Sequence, residues 1–375
     1  MIPRTLARTI LNSLKPGFIA IIYGPRRVGK TVLLEQLYKS LAPEKLFLNG
    51  DTQETRDLLN TTAETSLTQV VKGYQTIIID EVQRIPNIAL ALKIIIDKFP
   101  EKTILVSGST SLKLAHGIPE ELTGRTLKFK LYPLSTTEMT AGHPNFEKPY
   151  YLEEQLVFGG YPYLQQLAAP QEKKQYLASI VEDYLFRDIL ELKDVGAANN
   201  LRKLAMLLAF QIGSQVSLNE LANTLKIDVK TVSRYLYLLE QGFIIFELGA
   251  FSRNLRNEVA KSKKYYFWDL GIRNALLGLF SPLDARGDIG ALWENFLAVE
   301  RLKKHEYMRQ LVQTYFWRTY EKAEIDWIEV NGETIEAYEF KWQSKSGHTP
   351  KAFRDNYGVE TKFISKKNYL DFVGE

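Results

Sequence analysis

The octapeptide Gly24-Pro25-Arg26-Arg27-Val28-Gly29-Lys30-Thr31 has the spacing Gly-x-x-x-x-Gly-Lys-Thr. Its glycines let backbone N–H groups converge on phosphates, and the positive end of a following helix favours the negative charge. Lys30 is expected to reach the β- and γ-phosphates of a nucleotide and the Thr31 hydroxyl to ligate Mg²⁺. An acidic motif follows, where Ile77-Ile78-Ile79 runs into Asp80 and Glu81. Carboxylates at the end of a buried strand stand where open α/β sheets bind ligands. Asp80 is expected to hold the Mg²⁺, and Glu81 to polarise the attacking water. Val106-Ser107-Gly108-Ser109-Thr110 offers a hydroxyl near the γ-phosphate; Ser109 is the first choice, with Ser107 and Thr110 open. Phosphoryl transfer also needs an arginine for the charge on the moving group, and Arg125, after Gly124, is the candidate.

A second constellation lies near the C-terminus. Glu324-Ile325-Asp326 and Glu339-Phe340-Lys341 flank Asn331-Gly332, a hairpin signal. With Asn331-Gly332 as a two-residue turn, Val330 pairs with Glu333, Asp326 faces Ala337 and Glu324 faces Glu339. Side chains alternate along a strand, so Glu324, Asp326, Glu339 and Lys341 share one face. Ile325, Trp327, Tyr338, Phe340 and Trp342 share the other, the expected core. Asp326 and Glu339 become diagonal neighbours, roughly 7 Å apart or less at Cβ, which suits two carboxylates gripping one Mg²⁺. Lys341 could then orient a water or neutralise charge on a phosphate. The set is similar to the active site of restriction-endonuclease-like nucleases, and that resemblance implies a third acid on an earlier helix, matched by Glu294. No Pro precedes Asp326, a departure from that pattern. A solvated hairpin face with a cross-strand Glu–Lys pair is the competing reading.

A third region reads as helix, turn, helix and strand. Ser217 with Glu220 forms a capping box, Asp228 caps Val229 to Gln241, Gly242 ends that helix, and Phe243 to Leu248 is strand-like. This is the outline of a winged helix over 201–250. Val232, Leu236 and Leu239 pack inward; Lys230 and Arg234 are left to reach DNA phosphates or guanine edges. Arg253 and Arg256, with Lys261, Lys263 and Lys264, extend the basic surface. A winged helix that only joins domains is the alternative.

The ordered set Gly-Pro-Arg-Arg-Val-Gly-Lys-Thr, Asp-Glu-Val-Gln, Ser-Gly-Ser, Leu122-Thr123-Gly124-Arg125, Tyr132-Pro133-Leu134-Ser135 and Gly159-Gly160-Tyr161-Pro162 resembles one family. So do Phe251 to Arg256 and Tyr266-Phe267-Trp268-Asp269-Leu270-Gly271. The family is that of prokaryotic ATPases of the AAA superfamily with a C-terminal nuclease-like domain of unassigned function. The resemblance spans nearly the whole chain and implies ATP rather than GTP.

These groups need elements to hold them. Ile19–Tyr23, Leu46–Leu48, Thr76–Ile79 and Thr103–Val106 read as short buried strands, alternating with helices over Thr31–Leu41 and Ala89–Phe99. That alternation implies a parallel sheet covered on both faces. The expected organisation is a P-loop AAA-type core over 1–125, a helical lid over 126–200, the winged helix over 201–250, and a nuclease-like α/β domain over 251–375. In the last, Gly290–His305 is helical, and Tyr315–Trp317, Ala323–Val330 and Glu333–Trp342 are strands.

Composition bounds the rest. The 375 residues are 45% hydrophobic and 25% charged with a net charge of +4, ordinary for a globular chain of two or three domains. With no Cys and four His, disulfides, thiolate zinc sites, iron–sulfur clusters and Cys nucleophiles are excluded. No run approaches the roughly 18 apolar residues of a membrane span, and no signal peptide is evident, so a cytoplasmic protein without membrane contact is expected. The leading expectation is an ATP- and Mg²⁺-dependent hydrolase acting on DNA, its nucleotide state gating a C-terminal phosphodiesterase site. The alternative is an ATP-switched DNA- or protein-binding regulator that does not cut. A protein partner or a homo-oligomer is left open.

Overall fold

A computed structural model of the chain describes residues 2–108, 122, 124–182, 195–252, 263–319, 321, 323–343 and 347–374. Contacts divide it into two units, Met1–Pro133 and Leu134–Glu375.

The first unit is built on five strands: β1 (Ile19–Tyr23), β2 (Lys45–Asn49), β3 (Thr76–Asp80), β4 (Thr103–Gly108) and β5 (Thr126–Lys130). They pair in parallel in the order β2-β3-β4-β1-β5. Helices α1 (Thr5–Ser13), α2 (Lys30–Ser40), α3 (Gln53–Leu59), α4 (Glu64–Val71) and α5 (Ile88–Lys98) join and flank them. A strand covered on both faces shows no alternation, and Ile77, Ile78 and Ile79 are each buried. Burying each is worth about 2 kcal/mol relative to exposure. Helix α5 turns Ile88, Ala91, Leu92, Ile95 and Ile96 into the same core as Ile77, Ile79, Ile104 and Val106, the i, i+3, i+4, i+7 stripe of an amphipathic helix. Strand β5 takes the sheet past residue 125. Its Lys128 and Lys130 alternate with apolar residues, as suits a charged edge strand.

The second unit opens with helices α6 (Thr136–Thr140), α7 (Lys148–Phe158) and α8 (Pro170–Ile180). Next come α9 (Val195–Phe210), β6 (Gln215–Val216), α10 (Leu218–Leu225), α11 (Val229–Gln241), β7 (Ile245–Leu248) and β8 (Lys263–Phe267), with an antiparallel sheet ordered β6-β8-β7. Ser217 accepts from the Glu220 N–H and Asp228 from the Thr231 N–H, as expected, but the Glu220 carboxylate accepts from Gln211, so only half of the expected capping box is made. After α12 (Leu270–Leu277) and α13 (Ile289–Tyr307) come β9 (Gln313–Arg318), β10 (Glu324–Asn331), β11 (Thr334–Phe340), α14 (Lys351–Tyr357), β12 (Thr361–Ile364) and α15 (Tyr369–Val373). Their sheet runs β12-β11-β10-β9, antiparallel except that β12 is parallel to β11.

The β10–β11 register differs from the sequence expectation. Asn331 pairs with Thr334 and Trp327 with Tyr338, so the turn is Gly332-Glu333. Gly332 has φ +60° at the first central position, where a two-residue hairpin of type II′ takes glycine. The slip is an even number of residues along the ladder, so faces are kept but partners change. Asp326, one step beyond Trp327, comes level with Glu339 rather than Ala337. Ile325 also departs from expectation. A register shift between Ile325 and Ile328 against β9 turns it into the cluster of Ile328, Ala337 and Phe353. Both faces of this sheet are covered. On the other face Glu329 accepts two 2.7 Å bonds from Arg301 and one of 2.8 Å from His305.

Among the described residues no helix is long and apolar enough to cross a membrane.

Candidate functional site

The phosphate loop leaves the C-terminal end of β1 and enters α2 at Lys30. Gly24 is required by close approach, since a Cβ there would collide with the Leu131 carbonyl. Gly29, with φ +90°, caps α2. Pro25 and Val28 are buried, whereas Arg26 and Arg27 are exposed. The Lys30 ammonium is buried and donates to the carbonyls of Gly24 (3.1 Å) and Pro25 (2.8 Å). Burial pulls its pKa down to about 8, against the attraction of Glu81 and Asp80. The Thr31 hydroxyl donates to Asp80 Oδ2 at 2.6 Å. Ser107 Oγ donates to Asp80 Oδ1, which also accepts the Glu81 N–H at 3.0 Å. Glu81 sits at φ +49° with its carboxylate bound by Gln83. Lys30, Thr31, Asp80, Glu81 and Ser107 thus meet at the C-terminal edge of the sheet, because parallel β1, β3 and β4 end together there.

Ser107 is the described hydroxyl at this edge; Ser109 and Thr110 lie outside the described residues. Arg125 is not brought to the site. Its carbonyl accepts from the Ile19 N–H, so it stands at the N-terminal end of β1, and its guanidinium pairs with Asp97. At roughly 3.3 Å per residue it is about 15 Å from the loop along the strand. The reason is that β5 begins only at Thr126 and runs in the direction of β1. Arg4 was missed. Buried at the start of α1, it donates to the carbonyls of Val28 (2.6 Å) and Tyr132 (2.7 Å), clamping the loop to the exit of β5. A single Arg before an amphipathic helix gives no sequence signal for that role.

The C-terminal groups also converge, with an unforeseen member. Glu294 on α13 accepts at Oε1 from Lys264 Nζ (2.8 Å) and Tyr266 OH (2.6 Å). The same ammonium, 1% exposed, lies 2.5 Å from Glu324 Oε1. Asp326 Oδ2 accepts the Phe340 N–H at 2.8 Å, and Lys341 donates to Glu339 at 2.5 Å. Burial, then Glu294 and Glu339, push the Asp326 carboxyl well above the usual range, against Lys264. Burial opposes the charge on Lys264, but Glu294, Asp326 and Glu324 outweigh it and raise its pKa. Glu294, Asp326 and Glu339 do not fit the Mg²⁺ expected for them: each has other partners, and among the described residues no three His, Cys, Asp or Glu are grouped to hold a metal ion. The Lys264 ammonium takes Glu294 together with Glu324, and Lys341 takes Glu339.

On α11, Val232, Tyr235, Leu236 and Leu239 are buried, while Lys230, Ser233, Arg234 and Tyr237 are exposed on one side. Arg253, Arg256 and Lys261 lie outside the described residues. In the described remainder of that basic run, Lys263 is part-exposed and pairs with Glu247 at 2.7 Å, and Lys264 is buried.

Residues 17–140 match the family model described as an AAA domain, which marks them as a nucleotide-binding domain of that class. Residues 150–283 and 289–372 match two domains of unknown function, DUF8612 and DUF4143. Similar proteins include an uncharacterized protein of Mycobacterium tuberculosis, 27% identical over 334 residues, covering 88% of this chain and 71% of its own length. Another, of Haemophilus influenzae, is 27% identical over 286 residues, 70% of each chain. A third, of Methanocaldococcus jannaschii, is 27% identical over 289 residues, 70% of this chain and 63% of its own length.

Proposed function

We propose that this chain binds and hydrolyses ATP and uses the nucleotide state to control binding of DNA through a winged helix. The observation that carries the nucleotide reading is the convergence of Lys30, Thr31, Asp80 and Ser107 at one edge of the parallel sheet. The residues fit the nucleotide and its metal: Gly24 keeps the backbone open, Lys30 supplies a buried ammonium, and Thr31 and Asp80 would hold Mg²⁺. That ion, when bound, neutralises charge on the β- and γ-phosphates. Glu81 accepts a hydrogen bond from the attacking water and orients it; Ser107 holds the Asp80 carboxylate in place. Lys30 leaves the carbonyls of Gly24 and Pro25 to meet the phosphates.

The DNA reading is supported by the order of α9 to β8, a winged-helix order of elements, and by Lys230 and Arg234 on the exposed side of α11. We read the C-terminal nuclease-like domain as non-cleaving, because Lys264 holds the Glu294 carboxylate and Lys341 the Glu339 carboxylate. Cleavage is the second reading, favoured by Asp326, Glu339 and Lys341 standing together on one sheet face. The test incubates the purified chain with plasmid and short single- and double-stranded DNA, with Mg²⁺ or Mn²⁺, with and without ATP, beside Lys341→Ala. The expected result is ATP hydrolysis, lost in Lys30→Ala, with DNA left intact. Metal-dependent cutting that vanishes in Lys341→Ala would instead establish the nuclease.

A further inference from the structure

Lys264 lies between Lys263 and Tyr265 on β8 and by sequence belongs to the basic run. Its backbone belongs to the sheet of β6, β7 and β8, pairing with Gln215 and Leu248. Its side chain leaves that sheet and is 1% exposed, the ammonium within 2.8 Å of Glu294 on α13 and 2.5 Å of Glu324 on β10. It also lies over the Phe316 ring of β9, 5.3 Å from its centroid. Tyr266, two residues on and therefore on the same side of β8, donates to the same Glu294 oxygen. One buried cation therefore joins two sheets and a helix, through Glu294 on α13 and Glu324 on β10.

We infer that Lys264 is the resident cation of the C-terminal carboxylate cluster, a built-in ammonium standing where a divalent metal would otherwise sit, so that this domain takes up no Mg²⁺ or Mn²⁺. A metal ion drawing in Glu294 would take from a fully buried ammonium one of its two carboxylates, and an under-paired buried charge is costly. The Glu294 oxygen facing the cluster already accepts two hydrogen bonds. Glu339 is held by Lys341 and Asp326 by the Phe340 N–H. The ammonium also makes the cluster a joint: it fastens the β6-β8-β7 sheet to α13 and β10, so DNA held by α11 would be held rigidly against the C-terminal domain. This inference rests on the non-cleaving reading of that domain.

The test uses the full chain with Asp80→Asn, free of nucleotide, so that the phosphate-loop site contributes no metal. Mn²⁺ binding is followed by electron paramagnetic resonance, and thermal unfolding with and without Mn²⁺. This chain is expected to bind no more Mn²⁺ than one also carrying Asp326→Asn and Glu339→Gln, and to melt at the same temperature with the ion as without. Adding Lys264→Met should lower the melting temperature by roughly 5–10 °C, create one Mn²⁺ site per chain and let Mn²⁺ restore much of the loss. One Mn²⁺ bound per chain with Lys264 present, and lost in Asp326→Asn, overturns the inference. So does a folded Lys264→Met chain that takes up no Mn²⁺. If Lys264→Met does not fold, the Mn²⁺ measurement on the Lys264 chain decides alone. DNA cutting is read separately, so metal uptake without cutting would sink this inference while leaving the non-cleaving reading standing.

Discussion

At the scale of single residues, the nucleotide edge is a set of hydrogen bonds waiting for phosphates. Lys30 is charged below about pH 8 in the free protein because burial depresses its pKa to that value. Bound phosphates would keep the proton on. ATP binding is therefore expected to take up a proton above about pH 8, and affinity to fall by up to about tenfold per pH unit there. Calorimetric titrations in buffers of different ionisation enthalpy read that uptake directly; a pH-independent affinity up to pH 10 would rule out this account of Lys30. Arg4 makes a second prediction. Arg4→Ala leaves the Val28 and Tyr132 carbonyls without their buried donors, which is expected to cost about 2–4 kcal/mol of stability in the first unit. ATP turnover should fall about tenfold or more as the loop loosens, with Arg4→Lys restoring part of it; unchanged unfolding and turnover would refute the clamp. Lys30, Thr31, Asp80 and Glu81 were legible in the sequence because the spacing of that motif is dictated by phosphate geometry. Arg4 carries no such signal, Ser107 stands only as an alternative to Ser109, and Lys264 reads as one lysine of a basic run, since their roles arise from partners 24, 27 and 30 positions away.

At the scale of elements, legibility followed burial pattern. Helix α11 was bounded by Asp228 and Gly242, both readable, and runs Val229–Gln241. Strand β5 was missed because its alternating lysines resemble a loop, and the hairpin register was misjudged because Gly332 could serve either position of a two-residue turn. The Gly159-Gly160 and Trp268-Asp269-Leu270-Gly271 motifs prove to interlock. Asp269 accepts the Gly160 N–H at 2.7 Å, and a Cβ on Gly271 would collide with the Phe158 carbonyl. Gly271→Ala is therefore expected to destabilise the second unit without touching ATP binding by the first, as differential unfolding with and without ATP would tell. Glu240 on α11 makes one contribution to the pH dependence of this unit. Burial, then Glu247, raise its carboxyl to about 7 from 4.5, against Lys263. A raised folded pKa means that its contribution is present below the unfolded value and lost as pH rises through the folded one. The melting temperature of the second unit should fall between about pH 5 and about pH 7.5, and Glu240→Gln should flatten that slope. A profile equally steep in Glu240→Gln would place the titration elsewhere.

At the scale of the whole molecule, the chain carries a nucleotide-binding sheet, an exposed basic helix side and a carboxylate cluster paired with its own lysines. The charge on the exposed side of α11 is small, so the proposed DNA affinity should be salt-sensitive but modest. Lys230→Ala and Arg234→Ala are each expected to reduce the slope of log affinity against log salt by about one if each meets a phosphate. The central claim is that nucleotide state sets DNA binding. It is tested most directly by titrating a fluorescent duplex with the Glu81→Gln chain, which should bind ATP without turning it over, in ATP·Mg²⁺ and then in ADP·Mg²⁺ at one salt concentration. The account predicts dissociation constants about tenfold or more apart, a coupling of the size allosteric switches commonly show, and no such difference in Lys30→Ala. Equal affinity in ATP, in ADP and without nucleotide, or no binding in any state, would contradict it.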